Sequence, residues 1–160
     1  MNEGYKSLIK EFGNKFGITN LEVIKDDEAL QLFFENEFWL TISHHTKEDV
    51  TIIDVTVMDC KEKSQDILKE LALILMKINY LARITHSIWA SITDDNNIKI
   101  TYSDKTTQFD PNILSAKIEY MIDHAINMKK LLQSIIANKK SPAKPQEMEN
   151  INWKSNIIKA

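Results

Sequence analysis

Apolar side chains recur at the three-and-four spacing of a helix in three segments of the chain, and alternate with polar ones in five shorter segments between them. From residue 5 to 16, Tyr5, Leu8, Ile9, Phe12 and Phe16 share one stripe, with Lys6, Lys10, Glu11 and Lys15 opposite. Gly17 follows, where glycine takes a left-handed conformation cheaply and ends a helix. Residues 29–34 and 38–44 read as strands joined by Glu35, Asn36 and Glu37. Alternation puts Leu30, Leu32 and Phe34 on one face, and Phe38, Leu40 and Ile42 likewise, as the expected core sets. It leaves Phe33 and Trp39 on the other face. Either that face meets a partner, or helix one or the C-terminal tail covers it. A third strand, residues 50–58, alternates Ile53, Val55 and Val57 with Ile52, Asp54 and Thr56.

The most apolar segment, residues 64–83, is the element on which the chain is organised. Ser64 suits an N-cap, and Asp66 suits the positive end of a helix dipole. Ile67, Leu68, Leu71, Ile74, Leu75, Ile78 and Leu81 form one helical face. Leu73, Met76 and Tyr80 lie outside it, together with Ala72. A helix apolar on more than one side is normally buried on more than one side. Two coverings are open: a second copy of the chain, or loops of the same chain. The breadth of the apolar surface favours a dimer seam at Leu73, Met76 and Tyr80. Four charges between Asp66 and Lys77 argue against a membrane span.

Two further strands, residues 87–93 and 98–102, flank the turn Asp94-Asp95-Asn96-Asn97. Asp110 followed by Pro111 marks the start of a closing helix that runs to about residue 137. Its stripe comprises Leu114, Ile118, Met121, Ile122, Ala125, Met128, Leu132 and Ile135. Residues 1–137 therefore read as one domain and residues 138–160 as a flexible tail, whose linker leads to Ile151, Trp153, Ile157 and Ile158. This end is either a docking motif or a disordered end with accidental apolar content. As a docking motif, it would cover an apolar groove until a partner displaces it. The expected class is α+β: an antiparallel sheet with helices packed on it, in the order α-βββ-α-ββ-α, homodimeric.

Composition and chemistry change this picture little. The chain is 43% apolar and 27% charged, ordinary for a soluble protein, and its net charge of −3 gives no cause to expect nucleic acid. The lone Cys60 excludes an internal disulfide, and the charged N-terminal segment lacks a secretory h-region, so the cytoplasm is expected and no membrane. His44 and His45 are adjacent on a strand and point to opposite faces, while His86 and His124 have no ligand-spaced neighbours. Lys61 and Lys63 lie near Cys60, but no base accompanies it. Residues 94–97 lack the glycine and glutamate of a calcium loop, and Gly4, Gly13 and Gly17 build no phosphate cradle. The expectation is no enzyme, no metal and no cofactor.

At this point the chain resembles the class I, effector-binding chaperones of bacterial type III secretion systems. The resemblance lies in Phe12, Phe16-Gly17-Ile18, Asp26-Asp27, Leu30-Gln31-Leu32-Phe33-Phe34 and Phe38-Trp39-Leu40-Thr41-Ile42-Ser43. The helix at residues 67–81 is similar to their dimerisation helix, and Phe109-Asp110-Pro111 onward to their closing helix. The leucine-proline pair frequent before the central helix is replaced by residues 58–63, and the chain is less acidic than many members. The resemblance implies a homodimer that binds the N-terminal segment of a secreted effector in extended form, with the export machinery as a further partner. The patch expected to hold that segment is Phe33, Trp39 and Ile52. A regulatory or adaptor dimer of the same α+β fold, not devoted to secretion, is the alternative.

Overall fold

The computed structural model describes residues 3–18, 29–34, 37–85 and 88–140. Among these residues three helices, α1 (Glu3–Phe16), α2 (Gln65–Thr85) and α3 (Pro111–Lys140), accompany five strands. These are β1 (Leu30–Phe34), β2 (Phe38–His45), β3 (Val50–Asp59), β4 (Trp89–Ile92) and β5 (Asn97–Lys105). The order is the expected one. The closing helix continues past the expected end at Ala137 to Lys140. The expected tail from residue 141 on, with Ile151, Trp153, Ile157 and Ile158, lies outside the described residues. So do the polar break at 25–28, Glu35 and Asn36 of the hairpin, and His86.

Local chemistry sets the element ends. Gly17 has φ +68°, and Ile18 N–H donates to Gly13 C=O at 2.9 Å, the six-to-one bond that closes a helix on a left-handed residue. At α3, Asp110 Oδ1 accepts from the N–H groups of Asn112 (2.7 Å) and Ile113 (2.9 Å), with Pro111 at the first helical position. The Ser64 carbonyl accepts the first bond of α2 from Leu68 N–H at 3.0 Å, which makes Ser64 its N-cap. Asn96 and Asp49, in the two tight turns, hold φ of 56° and 51°, a region that Asn and Asp tolerate better than most residues.

The five strands form one antiparallel sheet in the order β1-β2-β3-β5-β4. One face carries Leu30, Phe38, Leu40, Ile42, Ile53, Val55, Ile98, Ile100 and Ala90, all buried. Against it pack Leu68, Leu71 and Leu75 of α2, Leu114, Ile118 and Met121 of α3, and Tyr5, Leu8 and Ile9 of α1. Helix α3 lies on β3, α1 on α3, and α2 alongside β4. Leu32 and Phe34 are only half-buried because β1 is an edge strand with no neighbour beyond it. Phe16, expected in the buried stripe, is exposed: it is the last residue of α1, and its ring meets Phe12 at 5.0 Å. Ile136, not Ile135, is the buried position near the end of α3.

His44 belongs to the core. Its ring stacks on Tyr5 at 5.1 Å, the Tyr5 hydroxyl donates to Ile42 C=O at 3.0 Å, and Nε2 meets Asp49 Oδ1 at 3.1 Å. That hydrogen bond, more than any other influence, holds the Asp49 carboxyl below its ordinary range. The same turn is tied to β5 by Thr106, whose N–H and hydroxyl both reach Asp49 C=O.

Candidate functional site

The helices cover one face of the sheet and leave the other to solvent. Cross-strand register arranges that outer face in rows. One row runs Phe33, Trp39, Thr56, Lys99, Ser91, and the next runs Gln31, Thr41, Asp54, Thr101, Trp89. Phe33 and Trp39 are directly opposite, with ring centroids 4.7 Å apart, and both are about half exposed at 48% and 53%. A tilted aromatic pair, half exposed on an edge hairpin, is an apolar surface of the kind that usually marks a contact. Beside it the row Thr41, Asp54, Thr101 is polar, with the Thr101 hydroxyl donating to Asp54 Oδ1 at 2.5 Å.

Of the three residues expected to form one patch, the structure brings two together. Ile52 stands opposite Ser43 on β2 and Ser103 on β5, separated from Trp39 by the polar row, and is half-buried. Alternation correctly put it on the outer face, but only the register could reveal its distance from the aromatic pair. Trp89, on the same face at the far side of the sheet, was not among the expected site residues, although it is 47% exposed. Its flanking partners Ile88 and Ala90 are buried, and that alternation was its signal.

The two sheet edges differ. On β4, the Asn79 side chain of α2 accepts from Ala90 N–H and donates to Ala90 C=O, each at 2.7 Å. One amide thus satisfies, at Ala90, the two groups that a neighbouring strand would pair with. At β1 the sheet ends, with β2 as the strand's one neighbour among the described residues. An extended segment adding to this sheet would therefore find its partner groups at β1, beside Phe33.

A second apolar surface lies on α2. Leu73, Met76 and Tyr80 are 60%, 68% and 69% exposed and follow the three-then-four spacing of one stripe. Exposed Lys69 and Lys77 flank it, while Leu68, Leu71 and Leu75 point into the core. The expected seam residues thus share one outward stripe. Among the described residues no three His, Cys, Asp or Glu side chains gather as metal ligands, and no helix is long and apolar enough to cross a membrane. Cys60 is buried, and desolvation pushes its thiol pKa up.

A family model described as the Tir chaperone protein (CesT) family matches residues 7–129. No curated protein matches the chain. Among solved structures, a chain of the ExsC–ExsE complex is similar at a TM-score of 0.68 and 16% identity, with 82% of this chain and 97% of that one covered. A chain of the HopA1–SchA chaperone–effector complex gives 0.66 and 12%, covering 79% and 94%. A chain of the Yersinia pestis type III secretion chaperone SycH in complex with a stable fragment of YscM2 gives 0.56 and 14%, covering 77% and 98%. At these identities the likeness is one of fold.

Proposed function

The chain belongs to the Tir chaperone protein (CesT) family, and from that premise we propose that it is a type III secretion chaperone. It holds the N-terminal segment of a secreted effector in extended form and keeps that segment competent for export. The family match across residues 7–129 carries this reading. Two of the similar structures support it, one a chaperone–effector complex and the other a type III secretion chaperone bound to a protein fragment. The geometry suits the task. An extended client pairs with the open β1 edge, and its apolar side chains seat on Phe33 and Trp39. Ile52 takes a separate, weaker contact one polar row away.

In this reading the protein works in the bacterial cytoplasm, as a homodimer joined through Leu73, Met76 and Tyr80, and delivers its client to the export machinery. It performs no catalysis and needs no cofactor. Binding by backbone pairing and apolar anchors requires neither.

The test is secretion. Deleting the gene in the source bacterium should stop export of one or a few type III substrates. The wild-type gene should restore export, and the Phe33→Ser, Trp39→Ser gene should not, although that protein is folded by circular dichroism. An unchanged secretion profile in the deletion strain would refute the chaperone reading and leave an adaptor dimer of the same fold.

A further inference from the structure

Helix α2 stands against the β4 edge of the sheet, and Asn79 fixes which way its other side chains point. The Asn79 amide reaches the N–H and C=O of Ala90, so its direction is that of the edge. Each helical residue is turned about 100° from the one before it. Measured from Asn79, the buried Leu68, Leu71 and Leu75 lie about 20–80° to one side, under the inner face of the sheet. Met76, Tyr80 and Leu73 lie about 60–120° to the other side. The exposed stripe therefore turns outward past β4, toward the side of the sheet that the helices leave bare. Trp89 stands on that side and at that edge. Register sets it opposite Thr101 on the outer face, next to Ala90, and it is 47% exposed. Only three residues separate Thr85 from Trp89, so β4 runs back along α2. Trp89 is then one strand residue, about 3.3 Å, beyond Ala90, and Tyr80 one helical residue, about 1.5 Å, beyond Asn79, both in the same direction. The stripe and Trp89 make one apolar surface that wraps around the β4 edge.

Area and shape say what can cover it. Burying Leu73, Met76 and Tyr80 on two copies of the chain removes about 800 Å² in all, the upper size of a chance packing contact. Adding Trp89 from both copies brings the total to about 1,000 Å², where specific interfaces begin. The stripe also complements itself. Across a two-fold axis beside Met76, with the two helices antiparallel, Leu73 faces Tyr80 of the partner subunit, a smaller apolar side chain against a large one. We infer that a second copy of the chain covers this surface, antiparallel at α2, and that Trp89 of β4 is buried in the same seam.

This deepens the homodimer in the reading above and rests on that part of it, not on the secretion role. In the full-length chain, Trp39→Phe and Trp153→Phe leave Trp89 as the sole tryptophan while keeping an aromatic at each position. Its emission should be blue-shifted in the dimer. Adding Leu73→Glu with Met76→Glu should give folded monomers by sedimentation velocity and move the emission to the red. In the otherwise native chain, Trp89→Ser should weaken dimerisation by about 100-fold, a tenfold loss for each of two central tryptophans, with circular dichroism unchanged. Phe33→Ser, at the far edge of the same face, should leave dimerisation as it is. A dimer that survives the two glutamates, or a monomer at every concentration, would overturn the α2 seam and the inference with it. Monomers whose Trp89 emission has not moved, or a Trp89→Ser dimer as tight as the native one, would remove Trp89 from the seam. An unchanged secretion profile in the deletion strain would alter none of these measurements.

Discussion

Replacing Asn79 with alanine removes the two hydrogen bonds that join α2 to the outer edge of β4. Each such bond contributes about 0.5–1.5 kcal/mol net, so the pair contributes about 1–3 kcal/mol. Water can reach Ala90 once the side chain is gone, which keeps the loss near the middle of that range. Alanine is the better helix former by about 0.6 kcal/mol, and this offsets part of the loss. The expected net destabilisation is about 1.5 kcal/mol, a fall in Tm of about 3–6 °C for a domain of this size. Urea and thermal unfolding followed by circular dichroism would measure it, at one fixed protein concentration because association adds to apparent stability. Asn79→Asp sharpens the test. It keeps an acceptor for Ala90 N–H but sets a carboxylate oxygen against Ala90 C=O, so it should be less stable than the alanine variant above pH 6. An alanine variant within about 0.5 kcal/mol of wild type, the ordinary range for surface changes, would show that the clasp does not hold α2 on the sheet.

Other expectations concern separate parts of the molecule. Leu73→Glu with Met76→Glu puts two carboxylates into the proposed seam and should give folded monomers or aggregates by light scattering; a well-folded dimer would place the seam elsewhere. Asp49, held low by the hydrogen bond from His44, contributes stability that is complete above the ordinary Asp value of about 3.9 and is lost as pH falls below it. Asp49→Asn should therefore flatten the acid limb of stability measured by urea unfolding between about pH 5 and pH 2, and an unchanged limb would refute the assignment. Cys60, buried and with its thiol pKa raised, should resist alkylation by iodoacetamide at neutral pH until the chain is unfolded. Rapid labelling of the native protein would show that its surroundings open readily.

Much of the fold was legible because its signals are local. Asp110-Pro111 and Gly17 mark helix ends through groups no more than five residues apart, and both act as read. The alternation at 29–34, 38–44 and 50–58 reports which side of a strand is wet, and it separated Phe33, Trp39 and Ile52 from the core set. It does not report which residues of neighbouring strands face each other. The turn carrying Asp49 sets that register, and it opposes Ile52 to Ser43, away from Trp39. Nothing in the sequence around Asn79 marks its role. Its partner lies eleven residues on, and the pairing depends on where α2 settles against β4.

The position of α3 in the chain has a consequence for synthesis. Strands β1 to β3 pair in sequence, so their hairpins can form as soon as Asp59 has been made. Their inner face is covered by a helix that follows every strand, and Leu132 near its end is fully buried. At about 5–20 residues per second, the 73 residues between Asp59 and Leu132 take about 4–15 s to translate. Throughout that interval Leu40, Ile42, Ile53 and Val55 lack the cover of α3. By our reading this protein shields the unfolded segment of another, yet part of its own nascent sheet waits seconds for the helix that covers it. Slowed translation after β3 should lower its yield more than slowed translation before β1.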